Sequence, residues 1–317
     1  MASSETNDAL RWHDPVWLAS VVEWIDARVE RAGAVDQVHA YPWATAIRVP
    51  TSSGNVWFKA CIEQLAHEVS TLELIGARRP NDVPRLRASD RANGWRLMED
   101  AGERPRELES RPGQIERWEE AVATYAQLQL DVAADADRFV LAGVPDRRGT
   151  VAQELAALLD SSTFEAAARL RPLVPRLAAE EAALDALGLP YTIQHDDLHD
   201  ANVFVADGGY RIIDWGDAAV TNPLLSLAIA VAVVAWRFEV EPTAPEVRRV
   251  RDAYLEPFTA HVARGELVGL VETVVRVGYA CGILKWAEVV AAIPPETRGP
   301  YEDAIPERVE RLLELCA

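Results

Sequence analysis

Basic residues are scarce in this 317-residue chain. Its 32 lysines and arginines stand against 50 aspartates and glutamates, a formal net charge of −18. A nucleic-acid partner wants a basic footprint, so this balance argues against one, while it suits a cationic small molecule. Cysteine is sparse as well. Cys61, Cys281 and Cys316 are odd in number, far apart and not in C-x-x-C pairs, so neither a disulfide framework nor a zinc site is implied. A reducing compartment is the expectation. Long hydrophobic stretches are missing: the longest apolar run, 224–236, is too short to cross a bilayer and reads as a buried core helix. The amino-terminal segment 1–8 is polar and lacks the basic and apolar regions of a signal peptide. A cytoplasmic protein with no membrane partner is therefore expected. Repeats and low-complexity segments are also lacking. What remains is ordinary for a globular protein: 49% apolar and 26% charged residues, in a chain long enough for one large domain or two lobes.

The elements follow from period and punctuation. Asp14-Pro15 starts a helix, an acidic cap before proline at the first helical position; apolar residues recur at helical spacing over 16–31, and Gly33 stops them. Strands are expected at 46–49 and 56–60, joined by a Pro-Thr-Ser-Ser-Gly-Asn turn, then a helix over 62–78 ended by Pro80. A short strand at 96–98 runs into the turn-prone Glu99-Asp100-Ala101-Gly102. Helices are expected at 115–130, 152–159 and 164–187, and again at 245–263, 267–287 and 306–315. A strand-rich first third thus precedes a mostly helical remainder, an α+β organisation.

One run interrupts the helices. His195 to Asp214 reads H-D-D-L-H-D-A-N-V-F-V-A-D-G-G-Y-R-I-I-D. Residues 203–206 and 210–213 are apolar, strand-forming runs around Asp207-Gly208-Gly209, a turn whose residues tolerate positive φ. Folding this hairpin brings Asn202 and Asp214 together at its open end, roughly 5 Å apart for directly opposed positions. A carboxylate and an amide oxygen at that spacing suit Mg²⁺, which takes hard oxygen ligands and completes its shell with water and phosphates. Asp197, upstream on the loop, is placed to hold a hydroxyl that attacks phosphorus.

H-x-D-x-x-x-x-N followed by Asp after a hairpin is the pattern of a kinase catalytic loop and its metal-binding aspartate. With His199 and Asp-Trp-Gly at 214–216, the spelling resembles the aminoglycoside phosphotransferase family, which includes choline and homoserine kinases. The resemblance implies an α+β, two-lobed protein-kinase-like fold. It would comprise a small lobe with an antiparallel sheet over 1–98, a hinge at 99–102 and a larger helical lobe over 103–317. It implies ATP, with GTP left open, Mg²⁺ at Asn202 and Asp214, and Asp197 as the catalytic base.

Lys59, among apolar and aromatic neighbours in Val56-Trp57-Phe58-Lys59-Ala60, is the only lysine before Lys285. An unpaired ammonium there is costly. Either it faces solvent on an edge strand, or it is the kinase lysine that reaches the α and β phosphates and pairs with a helix glutamate. Glu68, on the flank of the apolar stripe Leu65, Val69, Leu72 and Ile75, is the expected partner, with Glu73 as the alternative. The resemblance assigns adenine recognition to backbone groups of Glu99 and Ala101. Two departures stand out: the phosphate-covering segment 39–45 has no glycine, leaving Thr45 as a hydrogen-bond donor, and Ser226 stands where relatives carry aspartate. Asp200 and Asp217, near the chemistry, are expected receivers for an ammonium of an aminoglycoside or amino alcohol. Trp236, Tyr254 and Trp286 are candidates for an aromatic wall. The resulting expectation is an ATP-dependent kinase of a small hydroxylated molecule; a catalytically silent ligand-binding relative is the alternative.

Overall fold

A computed structural model describes residues 11–317; the polar segment 1–8 lies outside them. Helix α1 (Pro15–Asp26) begins as the sequence leads one to expect, with Asp14 Oδ1 accepting from Val16 N at 2.8 Å. It stops at Asp26 rather than 31, and Arg31 turns back to pair with the Asp26 carboxylate. Five antiparallel strands follow in the spatial order β1-β2-β3-β5-β4: β1 Asp36–Tyr41, β2 Ala44–Thr51, β3 Gly54–Cys61, β4 Leu86–Asp90 and β5 Trp95–Glu99. β1 and β4 are polar, half-exposed outer strands, which is why apolar patterning missed them. The hairpin turns are tighter than expected, Pro42-Trp43 between β1 and β2 and Ser52-Ser53 between β2 and β3.

The expected helix 62–78 is a turn of 3₁₀ helix at Glu63–Leu65 and then α2, Glu68–Arg78. The central helix α3 (Arg111–Val132) precedes α4 (Val151–Ser161). The expected helix 164–187 is broken into Glu165–Leu170 and α5, Val174–Asp185, around Pro172 and Pro175, because proline lacks an N–H and clashes with the preceding turn. Next come β6 (Thr192–Gln194), the hairpin β7 (Val203–Ala206) and β8 (Gly209–Ile212), and β9 (Ala219–Thr221). The hairpin closes through Asp207 and Gly208, both at positive φ (50° and 78°), as a two-residue turn of this kind requires. Helices α6 (Leu227–Phe238), α7 (Pro245–Leu255), α8 (Val271–Ala292) and α9 (Ala304–Cys316) complete the chain. Among the described residues no helix is long and apolar enough to cross a membrane.

Two cores result. Ile47, Val49, Phe58 and Leu97 of the sheet pack with Val21 and Ile25 of α1, and with Val289 and Ile293 at the end of α8. The larger core gathers Trp118, Tyr125, Leu128, Ile193, Ile212 and Trp215 around α3, and takes in Leu72 and Ile75 of α2. Each lobe therefore buries part of an element whose other face belongs to its neighbour, which holds the cleft walls in register.

Candidate active site

Helix α3 supports the loop of Asp197 and Asn202 from behind. Tyr125 and Gln129, one turn apart, point the same way. Gln129 Nε2 donates to Ile193 O at 2.9 Å, and the Tyr125 hydroxyl accepts from His195 N at 2.9 Å while bonding Ser226 Oγ at 2.8 Å. Ser226 therefore braces the loop indirectly, through Tyr125. His195 is fully buried: Nε2 lies 2.8 Å from Ile213 O and Nδ1 accepts from Asp197 N at 3.3 Å. Burial lowers its proton affinity, which suits this neutral tautomer. It is a strut between the loop and the residue before Asp214.

Asn202 is held by its Nδ2, which donates to Asp197 O at 3.0 Å and Asp197 Oδ2 at 3.2 Å, and so Oδ1 is left as the oxygen donor. Ile213 N donates to Asn202 O at 3.0 Å, so the residue opposite Asn202 is Ile213, and Asp214, expected there, lies one position beyond the hairpin register. His199 accepts from Ala201 N at 3.1 Å, and its Nε2 lies 3.4 Å from Asp197 Oδ2. Burial would raise the Asp197 pKa, but Lys285 and His199 outweigh it and hold the carboxyl below its ordinary range. Asp214 sits in the left-handed region, φ 68°, and its Oδ1 takes the Lys59 ammonium.

From the first lobe, Lys59 Nζ donates to both Glu68 carboxylate oxygens at 3.0 and 3.1 Å. Glu73 pairs instead with Arg91, on the outer side. Lys59 lies directly opposite Arg96 in the β3–β5 register, and two cations side by side on adjacent strands repel. Glu68 resolves this, because Arg96, fully buried, donates to the same carboxylate. Burial alone would lower the Lys59 pKa; Asp214 and Glu68 outweigh it and raise the pKa, so Lys59 stays charged. The cluster balances two cations with two anions. Arg96 was missed in the sequence, although an arginine between Trp95 and Leu97 in an apolar strand is the signal of a buried partner.

Other expected residues are placed differently. The Thr45 hydroxyl is buried, donating to His39 O at 2.8 Å and accepting from Gln37 Nε2 at 2.9 Å, so it is turned into the sheet and not toward a phosphate. Asp200 is flanked by Arg106 and Arg237 at 3.2 and 3.4 Å, and Asp217 bonds Lys285 Nζ at 2.7 Å; both carboxylates are already neutralised from within the chain. Trp236 is 77% exposed on α6, and Tyr254 is buried with its hydroxyl on Gln129 Oε1 and Pro223 O; neither forms a wall. Trp286 does lie in an aromatic group, with Trp43 and Tyr301. In the segment expected to be a hinge, Glu99 N donates to Arg85 O at 2.9 Å, and Ala101 is buried. Asp100 fixes the segment, accepting from Trp57 Nε1 at 2.9 Å and Gly102 N at 2.8 Å.

A five-stranded lobe carrying a Lys–Glu pair, facing a helical lobe with an Asp-Asn loop and a post-hairpin aspartate, is a protein-kinase-like fold. The chain belongs to the phosphotransferase enzyme family, which matches residues 62–266. Solved structures with the same fold include a choline/ethanolamine kinase family protein from Mesorhizobium loti, 17% identical, TM-score 0.62, covering 93% of this chain and 94% of that one. A macrolide 2'-phosphotransferase from Brachybacterium faecium is 16% identical, TM-score 0.61, with 93% and 97% covered. An amicoumacin kinase in complex with AMP-PNP and Ca²⁺ is 10% identical, TM-score 0.58, with 95% and 96% covered. Among curated proteins none matches the chain.

Proposed function

We propose that this phosphotransferase moves the γ-phosphoryl group of ATP to a hydroxyl of a small molecule, in the presence of Mg²⁺. The carrying observation is the joint placement of Lys59, Glu68 and Asp214 across the cleft with Asp197 and Asn202 on the same loop. Asp197, kept ionised, accepts the acceptor hydroxyl's proton as its oxygen bonds the γ-phosphorus and the β–γ bridging bond breaks to release ADP. Lys59 is fixed by Glu68 so that its ammonium meets the α and β phosphates. Glu99 and Ala101 contribute backbone groups to the adenine edge.

The donor set suits Mg²⁺. Asn202 Oδ1 is free of the amide's bonds to Asp197, and Asp214, 43% exposed at its side chain, keeps Oδ2 after giving Oδ1 to Lys59. Two protein oxygens are the number such an ion uses when phosphates complete its shell, and what it supplies is neutralisation of phosphate charge. The amicoumacin kinase structure, with its nucleotide analogue and divalent ion, supports this reading. Asp200 and Asp217, the expected receivers for an ammonium group, are each paired within the chain, so neither supports an amino-bearing acceptor.

ADP release from MgATP, measured across aminoglycosides, amino sugars, choline-like alcohols, hydroxy acids and sugar phosphates, tests the proposal. Transfer to at least one acceptor is expected, with Asp197→Asn slower by about 10³-fold and still folded. A near-normal rate in that variant removes Asp197 from its role. Failure of MgATP to raise the melting temperature, with no transfer to any acceptor, removes the kinase reading in favour of a silent relative.

A further inference from the structure

Arg308 lies on α9, and its guanidinium carbon sits 4.2 Å from the centroid of the Trp286 ring. Its polar bond is to Ala304 O, one turn back on its own helix, at 3.1 Å. Among the described residues no carboxylate pairs with it, whereas its neighbour Arg311 is paired with Glu314 at 2.6 Å. Arg308 is half-buried, and its fork keeps donors beyond the one given to Ala304 O.

The position relates it to the chemistry. Lys285 Nζ lies 5.0 Å from the same Trp286 ring centroid and bonds Asp217, three residues past Asp214. Trp43, at the β1–β2 turn of the first lobe, meets Trp286 edge-on at 5.7 Å and Tyr301 at 4.9 Å. The aromatic group therefore bridges the lobes beside the catalytic loop. Burial weakens the guanidinium's hold on its proton, while the carboxylates of Asp197 and Glu307, neither of them bonded to it, favour the charged form. Lys285 is ion-paired with Asp217, whereas Arg308 makes no ion pair among the described residues. A cation fixed on this aromatic group would repel an ammonium-bearing acceptor and draw a carboxylate or phosphate.

We infer that Arg308, stacked on Trp286, holds an anionic group, a carboxylate or a phosphate ester, of the molecule whose hydroxyl Asp197 engages. This rests on the kinase reading above and names the acceptor class for that site. The planar fork matches either oxyanion with two parallel hydrogen bonds, and the Trp286 face holds the fork in place. Both residues lie beyond the part of the chain that the family matches.

The test uses the full-length protein with MgATP and matched acceptors: homoserine against homoserinol, gluconate against sorbitol, and glucosamine 6-phosphate against glucosamine. Transfer is read as ADP release and binding by calorimetry, so carboxylate and phosphate sources are scored separately. The anionic member of a pair should have the higher kcat/KM. Arg308→Gln should raise the KM for that member about tenfold or more with kcat little changed, and Arg308→Lys should recover part of the loss. Preference for the neutral or cationic members, or an anion preference that survives in Arg308→Gln, overturns the inference. So does a fall in kcat that is equal for all acceptors, which would put the guanidinium on the transferred phosphoryl group. If MgATP binds but no anionic member binds or reacts, the inference falls while the nucleotide half of the kinase reading stands. If MgATP itself does not bind, both fall.

Discussion

Lys59 and Asp214, 155 positions apart, join the sheet of the first lobe to the hairpin end of the second through one ion pair. The same ammonium is bonded to Glu68, which also serves Arg96, so the cleft is spanned by alternating charges. Replacing Lys59 with Met leaves Glu68 neutralised by Arg96. The fold should survive, and kcat/KM for ATP should fall by about 10²–10³-fold, checked by kinetics beside a thermal melt. A variant with wild-type ATP kinetics would remove Lys59 from the nucleotide site.

Glu68→Gln should behave in the opposite sense. It leaves Lys59 and Arg96 facing each other across β3 and β5 with one carboxylate lost. Breaking a buried pair in this way costs about 3–5 kcal/mol, more than Lys59→Met should. Urea denaturation of the two variants gives the comparison, and equal stabilities would show that Arg96 does not depend on Glu68.

Removing divalent metal should stop transfer without unfolding the protein. Asn202 is held by Asp197 and Asp214 by Lys59, within the hairpin's pairing. EDTA is therefore expected to abolish ADP release and to leave the melting temperature of the nucleotide-free protein unchanged. A large drop in that temperature would indicate a structural metal instead.

Asp196 predicts a pH effect. It is buried at positive φ, 57°, and Oδ2 has no partner among the described residues, while Oδ1 accepts from Gln194 Nε2. Burial pushes its carboxyl up from an ordinary 3.8 to about 7, with Lys285 and Arg147 opposing. The folded state thus holds a proton that the unfolded chain has already released. The stability this contributes is complete below the ordinary value and is lost as pH rises toward about 7. Asp196→Asn, which resembles the protonated acid and tolerates this backbone, should gain stability over the wild type as pH rises from 4 to 8. Parallel curves for the two proteins across that range would contradict it.

Gly102 is required sterically. At φ 111°, a Cβ there would come 2.2 Å from Val205 O, on the hairpin strand that the hinge touches through Glu103. Gly102→Ala should destabilise the protein by about 1–3 kcal/mol and raise the KM for ATP, since the hinge must move off the hairpin. Calorimetry and nucleotide kinetics on one preparation check both effects.

The run from His195 to Asp214 was legible in the linear sequence because its residues are local. Asp197, Asn202 and Asp214 lie on one loop and one hairpin, and a two-residue turn with positive φ sets the strand pairing that brings them to one end of it. The larger helices and the central strands were legible for the same reason, since period and proline act over a few residues. Polar outer strands such as β1 carried no such period. Nor could local signals tell which charges are already spent. Asp200, Asp217 and Thr45 read as available groups, and only the packed structure supplies Arg106, Arg237, Lys285 and His39 to occupy them. Arg96 beneath Glu68 and Arg308 over Trp286 are likewise products of strand register and helix docking. The chain by itself determines which groups share the loop and hairpin, because turn chemistry is short-range. Tertiary structure decides which charges remain uncompensated, because burial and pairing depend on residues far apart in sequence.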